Sequence, residues 1–182
     1  MSLVSYQTVL DFWFSTETQP LWFAKNDDFD YRLRKLFGET LRLASQGGCA
    51  AWRTNLEGRV AEIIVLDQFS RNIYRNTPQA FAQDLAAVCL AQELINQPGF
   101  SKLPLQYRRF ALMPFMHSES KIIHRDALPL FEKLGIERVL EYELRHKAII
   151  DRFGRYPHRN AILNRPSTDE EIDFLKNPQH RF

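Results

Sequence analysis

The chain has 182 residues, of which 45% are hydrophobic and 25% charged, and its formal net charge is +2. This composition is typical of an ordinary globular protein with a sizeable core, and it excludes a disordered or highly charged chain. The apolar runs are far shorter than the roughly 20 residues that cross a bilayer, and no basic region precedes the first apolar stretch, as a signal peptide requires. We therefore expect a single domain over residues 1–182, in the cytoplasm, without a membrane partner.

Basic residues are concentrated near the end of the chain. Residues 145–165 contain five Arg and one Lys against a single acidic residue, Asp151. A nucleic-acid footprint is normally a larger patch or stripe. We expect no nucleic-acid partner, and a lined pocket for an anion or for carboxylates is the better interpretation.

The first two helices are predicted from their starts. Ser5 and Asn26 each precede a stretch of helical apolar spacing, and both residue types are preferred helix caps. Acidic residues follow Asn26, where they suit the helix dipole, and Gly47 with its neighbouring glycine is expected to end that helix. Trp22 and Phe23, in the loop between the helices, are expected to pack on the core.

Residues 57–69 are apolar on most faces, which predicts a central, enclosed helix. The end of this stretch nevertheless carries Asp67. Because a buried carboxylate without a partner costs several kcal/mol, we expect Asp67 to meet a cation, and we predict that this cation is Arg155 or Arg159.

An alanine-rich helix is predicted over residues 78–96. Thr77 supplies a capping hydroxyl and Pro78 occupies the first position, where proline is favoured. Leu85 and Cys89 belong to its apolar stripe, so we expect Cys89 to be a reduced, buried thiol. The two cysteines of the chain do not suggest a disulfide framework.

Prolines guide the next predictions. Pro114 disfavours helical geometry at the residue before it, so residues 113–117 are expected to form a connection. Ser118 is then expected to cap the following helix, with Glu119 in its first turn. Pro129 should kink or split that helix, because it removes one backbone hydrogen bond.

The last two helices have clear boundaries in the sequence. A helix over residues 137–153 is expected to end at Gly154, and Pro157 prevents it from resuming. Residues 167–171 contain two overlapping capping boxes, Ser167 with Glu170 and Thr168 with Glu171. No convincing alternating β pattern occurs. The sequence therefore predicts an all-α, single-domain bundle of about seven helices.

Three polar stretches interrupt apolar surroundings at predicted helix ends: residues 67–72, 116–119 and 152–160. We expect neighbouring helices to bring them together. Two interpretations stay open, namely a buried network of salt bridges and caps, and a ligand or catalytic pocket built from the same side chains. The candidate residues of this site are Asp67, Gln68, Arg71, Asn72, Arg109, His117, Ser118, Glu119, His146, Arg152, Arg155, His158, Arg159 and Asn160.

Motifs for specific chemistries are incomplete. Glu143 and His146 have the spacing of half a helical di-iron site, but the second Glu-x-x-His is absent, and no histidine or cysteine spacing supports zinc. Ser118 lacks the glycines of a nucleophile elbow, and no glycine-rich phosphate loop exists. We expect no metal or cofactor and assign no catalytic residue.

Four blocks of the sequence carry a resemblance to a known family: residues 9–14, 66–72, 113–119 and 153–160. Together they are similar, in order and over nearly the whole chain, to the uncharacterised domain of unknown function 924 family of bacteria and some eukaryotes. The resemblance implies an all-helical, tetratricopeptide-like fold of helical pairs, and it supplies no catalytic residues. Asn164 stands where the family usually has glycine, which is tolerable because asparagine also enters left-handed geometry.

Two classes of function follow from these observations. One is an interaction protein whose helical scaffold binds a peptide or protein partner. The other is a protein or hydrolase-type enzyme that binds a small anionic molecule through the Arg/His cluster. An exposed aromatic or apolar groove with internally paired arginines would favour the first, and arginines facing an open cavity would favour the second. The sequence leaves enzymatic activity and the oligomeric state open.

Overall fold

The structure is a computed structural model that describes residues 3–177. This part of the chain is helical and contains no strand, which confirms the all-α class. None of its helices has the length and apolar character needed to span a membrane. The helices are α1 (Tyr6–Trp13), α2 (Asp27–Ala44), α3 (Leu56–Ile64), α4 (Ser70–Ile73), α5 (Asp84–Ile95), α6 (Leu105–His117), α7 (Lys121–Leu134), α8 (Glu137–Phe153) and α9 (Asp169–Phe174).

Helices α3 and α4 are joined without a break by a π-helical turn, Val65–Phe69. When they are counted as one element, the part of the chain that the structure describes has eight helices, against the seven or so expected. From Val60 to Ser70 every residue is buried. The prediction of a central, enclosed helix in this stretch is confirmed.

The local capping signals form as predicted. The Ser5 hydroxyl accepts a hydrogen bond from the Thr8 N–H at 3.1 Å, and the Asn26 side chain accepts from the Phe29 N–H at 2.9 Å. Of the two possible capping boxes before α9, the structure contains the one between Thr168 and Glu171. Helix α8 ends at a left-handed residue, Gly154, with φ of 70°.

The described chain divides into two compact units. The first contains residues 3–75 and 79–114, and the second contains residues 76–78 and 115–177. Helix α6 starts in the first unit and ends in the second. The expectation of a single domain over residues 1–182 stays a prediction.

The first unit has an aromatic core. Trp13, at the end of α1, is fully buried, and its ring lies 5.5 Å from the rings of both Phe69 and Phe110. The Nε1–H of Trp22 donates to the Trp13 carbonyl at 2.8 Å. Burial of these large side chains supplies much of the hydrophobic stabilisation of the unit.

The second unit is built on a helical pair, in which α7 packs against α8. Only two residues separate these helices, and the first, Gly135, adopts the left-handed conformation that the short turn requires. Ile149, Ile150 and Tyr156 form a buried cluster. A tetratricopeptide-like repetition of such pairs along the chain stays a prediction.

The expectations about Pro114 and about the cap of α7 were wrong. Helix α6 continues through Pro114 to His117, because burial of residues 110–116 outweighs the lost backbone hydrogen bond. The cap of α7 is Ser120, whose side chain accepts from the Ile123 N–H, and not Ser118. Glu119 therefore precedes α7 and is not in its first turn. Pro129 lies inside α7, which is not split, and a kink at this position stays a prediction.

Several burial expectations also failed. A 3₁₀ turn occupies Pro78–Phe81, and α5 begins only at Asp84. Leu85, 77% exposed, and Cys89 face solvent, because the buried face of α5 consists of Ala87, Val88, Ala91 and Leu94. In the loop after α1, Trp22 is buried, and Phe23 packs on Phe110 of the core while 59% of its side chain stays exposed.

Candidate functional site

Asp67 lies in the π-helical turn and is fully buried. Its Oδ1 atom is 3.0 Å from Nη1 of Arg71, and its Oδ2 atom accepts from Nε2 of Gln68 at 2.5 Å. Arg71 also donates two hydrogen bonds, at 2.8 and 3.0 Å, to Asp84 of α5. The cation that a buried carboxylate needs is therefore present one turn away. The predicted pairing of Asp67 with Arg155 or Arg159 would join the two units and stays a prediction.

A second polar cluster of the first unit ties α4 to α2. Asp30 accepts a hydrogen bond from Asn72 at 2.8 Å and two from Arg75 at 2.5 and 2.9 Å. Arg34 donates to the Ile73 carbonyl at the end of α4. Such charge-assisted bonds hold the end of α4 in place.

Arg109 is surrounded by aromatic rings. Its guanidinium lies 5.0 Å from the ring centre of Phe23 and 5.7 Å from that of Trp22. The Phe23 ring is parallel to that of Phe110 at 6.3 Å, and the rings of Phe14 and Tyr107 are stacked at 4.6 Å. We call this surface the aromatic patch, and it consists of Phe14, Trp22, Phe23, Tyr107 and Arg109 around Phe110.

Tyr156 is the centre of the polar network in the second unit and is fully buried. Its hydroxyl donates to the Met116 carbonyl at 2.6 Å, and its N–H donates to the Glu119 carboxylate at 2.7 Å. Three histidine rings and one guanidinium surround the phenol ring. They belong to His124, His146, His158 and Arg159, at 6.5, 5.6, 5.5 and 4.6 Å.

His124 and Glu143 form a buried pair between α7 and α8. Nδ1 of His124 lies 2.6 Å from Oε1 of Glu143, and neither side chain is exposed. Nε2 of the same ring lies 2.9 Å from the Ser118 carbonyl. Burial raises the pKa of Glu143 by more than His124 and Lys147 lower it.

His146 lies one turn beyond Glu143 on α8. Its Nδ1 atom is 2.7 Å from the Tyr142 carbonyl and therefore donates to it. Burial lowers the pKa of His146 to about 3, against the raising effect of this hydrogen bond, and neighbouring histidines lower it further. His146 is consequently neutral at physiological pH.

Glu119 and Arg165 form a bidentate pair, with distances of 2.6 and 2.9 Å. Arg165 also donates to the Asn160 side chain at 2.9 Å. Burial raises the pKa of Glu119, but hydrogen bonds from Arg165 and the Tyr156 N–H, with the charge of Arg159, bring it below its usual value. Glu119 is thus an anchor for the segment that follows α8.

Glu171 of α9 forms the second bidentate pair, with Arg155 at 2.6 and 2.8 Å. The Asn160 amide and the Thr168 N–H donate to the same carboxylate. Hydrogen bonding to Arg155 is the main cause that lowers the pKa of Glu171 to about 2. Arg152 pairs with Glu170 on the surface, where both side chains are more than half exposed.

The structure assigns the predicted site residues to two groups. Asp67, Gln68, Arg71, Asn72 and Arg109 lie in the first unit. In the second unit, Arg159 donates to the His117 carbonyl at 2.9 Å, and Ser118 Oγ accepts from the Ser120 N–H at 3.2 Å. The stretches 116–119 and 152–160 therefore do meet around Tyr156. The residues in this group are His117, Ser118, Glu119, His146, Arg152, Arg155, His158, Arg159 and Asn160.

Five residues of the network were missed as site residues: His124, Glu143, Tyr156, Arg165 and Glu171. Glu143 had been considered only for a metal site, and Glu171 only as part of a helix cap. Arg165 belonged to the basic segment 145–165, which is the one sequence signal that pointed to it. Within residues 3–177, no group of three or more His, Cys, Asp or Glu side chains is arranged to hold a metal ion.

Comparison with known proteins gives a family and a solved relative. The chain matches, over residues 9–179, the family described as "Bacterial protein of unknown function (DUF924)". It is 32% identical to a structure titled "Structure of Protein of Unknown Function ATU0120 from Agrobacterium tumefaciens", with a TM-score of 0.88 over 94% of this chain and 96% of that one. No functionally curated protein matches the chain. The chain therefore belongs to the DUF924 family, as the four sequence blocks had indicated.

Proposed function

We propose that this protein is an interaction protein that binds an apolar peptide segment of a partner protein through the aromatic patch. The observation that supports this proposal is the exposure of Phe23, 59%, beside the half-buried rings of Phe14 and Tyr107. Neighbouring apolar side chains that reach solvent together are typical of sites of protein interaction. The proposal includes a tetratricopeptide-like arrangement of the helices and a cytoplasmic location.

The composition of the aromatic patch also supports binding. Aromatic side chains and arginine are enriched at the energetic centres of protein interfaces. Phe23 stacks on Phe110 of the core and is covered on one side by Arg109, so its ring is held in place before a partner arrives. A preorganised ring loses little conformational entropy on binding.

The pairing of the arginines is the second argument for an interaction protein. Arg155 is engaged by Glu171 and Arg165 by Glu119, both in bidentate geometry. In the first unit, Arg71 is engaged by Asp84. These guanidiniums already hold carboxylates, and a small anion would have to displace them.

An alternative function is the binding or hydrolysis of a small anionic molecule in the second unit. The grouping of His158 and Arg159 around the Tyr156 ring favours it, because histidine and arginine side chains bind phosphate-like groups. Calorimetric titration with inorganic phosphate separates the two functions. Saturable binding that Arg159→Gln weakens at least tenfold would support the alternative, and no heat of binding would remove it.

The interaction function is tested by photo-crosslinking in the cells that express the protein. A photoreactive phenylalanine analogue is placed at position 23 or, as a control, at position 122, because Ile122 is equally exposed, 60%, but lies in the second unit. We expect a discrete protein adduct from position 23 only. Identical adducts from both positions, or none from position 23, would contradict the proposal.

A purified partner then permits a quantitative test. Phe23→Ser should weaken binding at least tenfold, since interface aromatic anchors typically contribute about 2 kcal/mol or more. Ile122→Ser is the matched control and should leave the affinity unchanged. Thermal melting of both variants shows whether each remains folded.

A further inference from the structure

We propose that Glu143 is protonated in the folded protein at neutral pH and donates its proton to a neutral His124. Glu143 and His124 then form an uncharged hydrogen bond that joins α7 to α8. At alkaline pH this bond loses its proton, and the packing of α7 on α8 loses the stabilisation that the bond supplies.

The contacts of the His124 ring show that one of its two nitrogens, Nε2, carries a hydrogen. Nε2 lies 2.9 Å from the Ser118 carbonyl, which can only accept a hydrogen bond. The Tyr156 hydroxyl, 3.2 Å from Nε2, already donates to the Met116 carbonyl at 2.6 Å, so its oxygen is an acceptor on the Nε2 side. Nε2 therefore carries a hydrogen, and only the state of Nδ1 remains open.

The short distance between Nδ1 of His124 and Oε1 of Glu143 requires a proton between these two atoms. At 2.6 Å, an unprotonated Nδ1 atom facing an ionised carboxylate would place two lone pairs against each other. One proton must lie between the two atoms. Either Glu143 is a neutral acid that donates to His124, or a carboxylate accepts from an imidazolium.

The other carboxyl oxygen decides between these states. Oε2 of Glu143 is buried and has no hydrogen-bond partner among residues 3–177. An ionised carboxylate spreads its charge over both oxygens, so a buried, unsatisfied Oε2 would cost several kcal/mol. The carbonyl oxygen of a neutral acid in the same position costs much less. The neutral pair is consequently the stable one, and the raised pKa of Glu143 agrees with it.

The surrounding charges do not reverse this preference. Lys147, on the same helix, lowers the pKa of Glu143 by its positive charge, but its ammonium lies 2.5 Å from the Asp151 carboxylate. His146 is buried and neutral, as its lowered pKa shows. The other titratable or charged groups that face the pair or His146 from neighbouring elements are His117, Tyr156, His158 and Arg159.

The pH dependence follows from proton linkage. In the unfolded chain Glu143 ionises near its ordinary pKa of 4.5, whereas in the folded protein this pKa is raised. Below about pH 6.5, the ordinary pKa of histidine, the unfolded chain carries the corresponding proton on His124, so the two states bind equal numbers of protons at the pair. Above about pH 6.5 the folded state holds one proton more, and the stabilisation by the pair is lost as the pH rises. The unfolding equilibrium constant of wild type should therefore increase about tenfold per pH unit above about pH 6.5, until the folded pair itself loses the proton.

The experiment compares wild type with Glu143→Gln by denaturant unfolding from about pH 5 to about pH 9. The glutamine amide donates to His124 as the protonated acid does but cannot ionise. We expect wild type to lose stability relative to the variant by about tenfold in the equilibrium constant per pH unit. Glu141→Gln, on the exposed side of the same helix, should run parallel to wild type. Parallel curves for Glu143→Gln would overturn the proposal.

Nitrogen NMR on the unmodified protein locates the proton and does not depend on the folding of any variant. At neutral pH we expect His124 to show one protonated nitrogen, Nε2, and one unprotonated nitrogen, Nδ1. Two protonated ring nitrogens would identify an imidazolium and overturn the neutral pair.

Discussion

Arg155 donates two hydrogen bonds, of 2.6 and 2.8 Å, to the Glu171 carboxylate and so connects the end of α8 to α9. Glu171 is 3% exposed, which makes it the buried member of the pair. Fork-to-fork geometry of this kind is among the strongest side-chain interactions in proteins. The position of the last described helix depends on it.

Arg155→Ala should destabilise the protein by about 2–3 kcal/mol, because it leaves the buried Glu171 carboxylate without its main donor. Urea denaturation near neutral pH measures the change. Arg152→Ala is the matched control on the same helix, and since both members of its pair are exposed, it should cost less than about 1 kcal/mol. Equal effects of the two substitutions would contradict this ranking.

The same pair predicts a loss of stability in acid. The folded pKa of Glu171 is about 2 and its ordinary value is 4.5, so the unfolded chain binds more protons between these two values. The stabilisation is complete above pH 4.5 and is lost as the pH falls through about 2. Unfolding measured across this acid range should show a shallower loss in Arg155→Ala than in wild type. A loss of equal steepness in both would contradict the prediction.

Arg71 interacts with two carboxylates of the first unit, Asp67 and Asp84. Arg71→Met should therefore be more destabilising than either Asp67→Asn or Asp84→Asn, since it removes one guanidinium from two acidic groups. We expect about 3–5 kcal/mol for the arginine substitution. Denaturant unfolding of the three variants ranks their losses in the free energy of unfolding. A smaller loss for Arg71→Met than for Asp84→Asn would contradict the prediction.

Pro129 is exposed inside α7. Alanine at this position restores a backbone donor and removes the steric conflict of the ring with the preceding turn, without leaving a cavity. Pro129→Ala should therefore stabilise the protein by about 1–3 kcal/mol. Thermal unfolding measures the gain, and a lower melting temperature would show that α7 needs the proline for its packing.

The two cysteines should differ in reactivity. Cys89 is exposed, whereas Cys49 is buried, and its burial raises the pKa of the thiol to about 12. Because the thiolate is the reactive form, a thiol reagent at neutral pH should label one cysteine in the native protein and two in denaturant. Mass spectrometry of the labelled peptides identifies the site. Labelling of Cys49 under native conditions would contradict the described burial.

The boundaries of many helices were predictable because their signals are local. Ser5 and Asn26 bind N–H groups three residues away, and Gly154 adopts a left-handed conformation that glycine enters without strain. Asn164 also has a positive φ, 53°, as its replacement of a usual glycine had implied. Such interactions depend on neighbours in the chain and on little else.

The tertiary structure decided where proline is tolerated and which polar groups pair. Pro114 stays helical because the surrounding side chains are buried, a property that no local pattern reports. Glu119 contacts Arg165 and Tyr156, which lie 46 and 37 residues away in the chain, and His124 contacts Glu143 only because α7 packs on α8. By itself, the sequence determined that the chain is helical, where most helices start and end, and which polar stretches are unusual. Packing determined which polar side chains pair and which side chains are exposed, because both depend on distances between residues far apart in the chain.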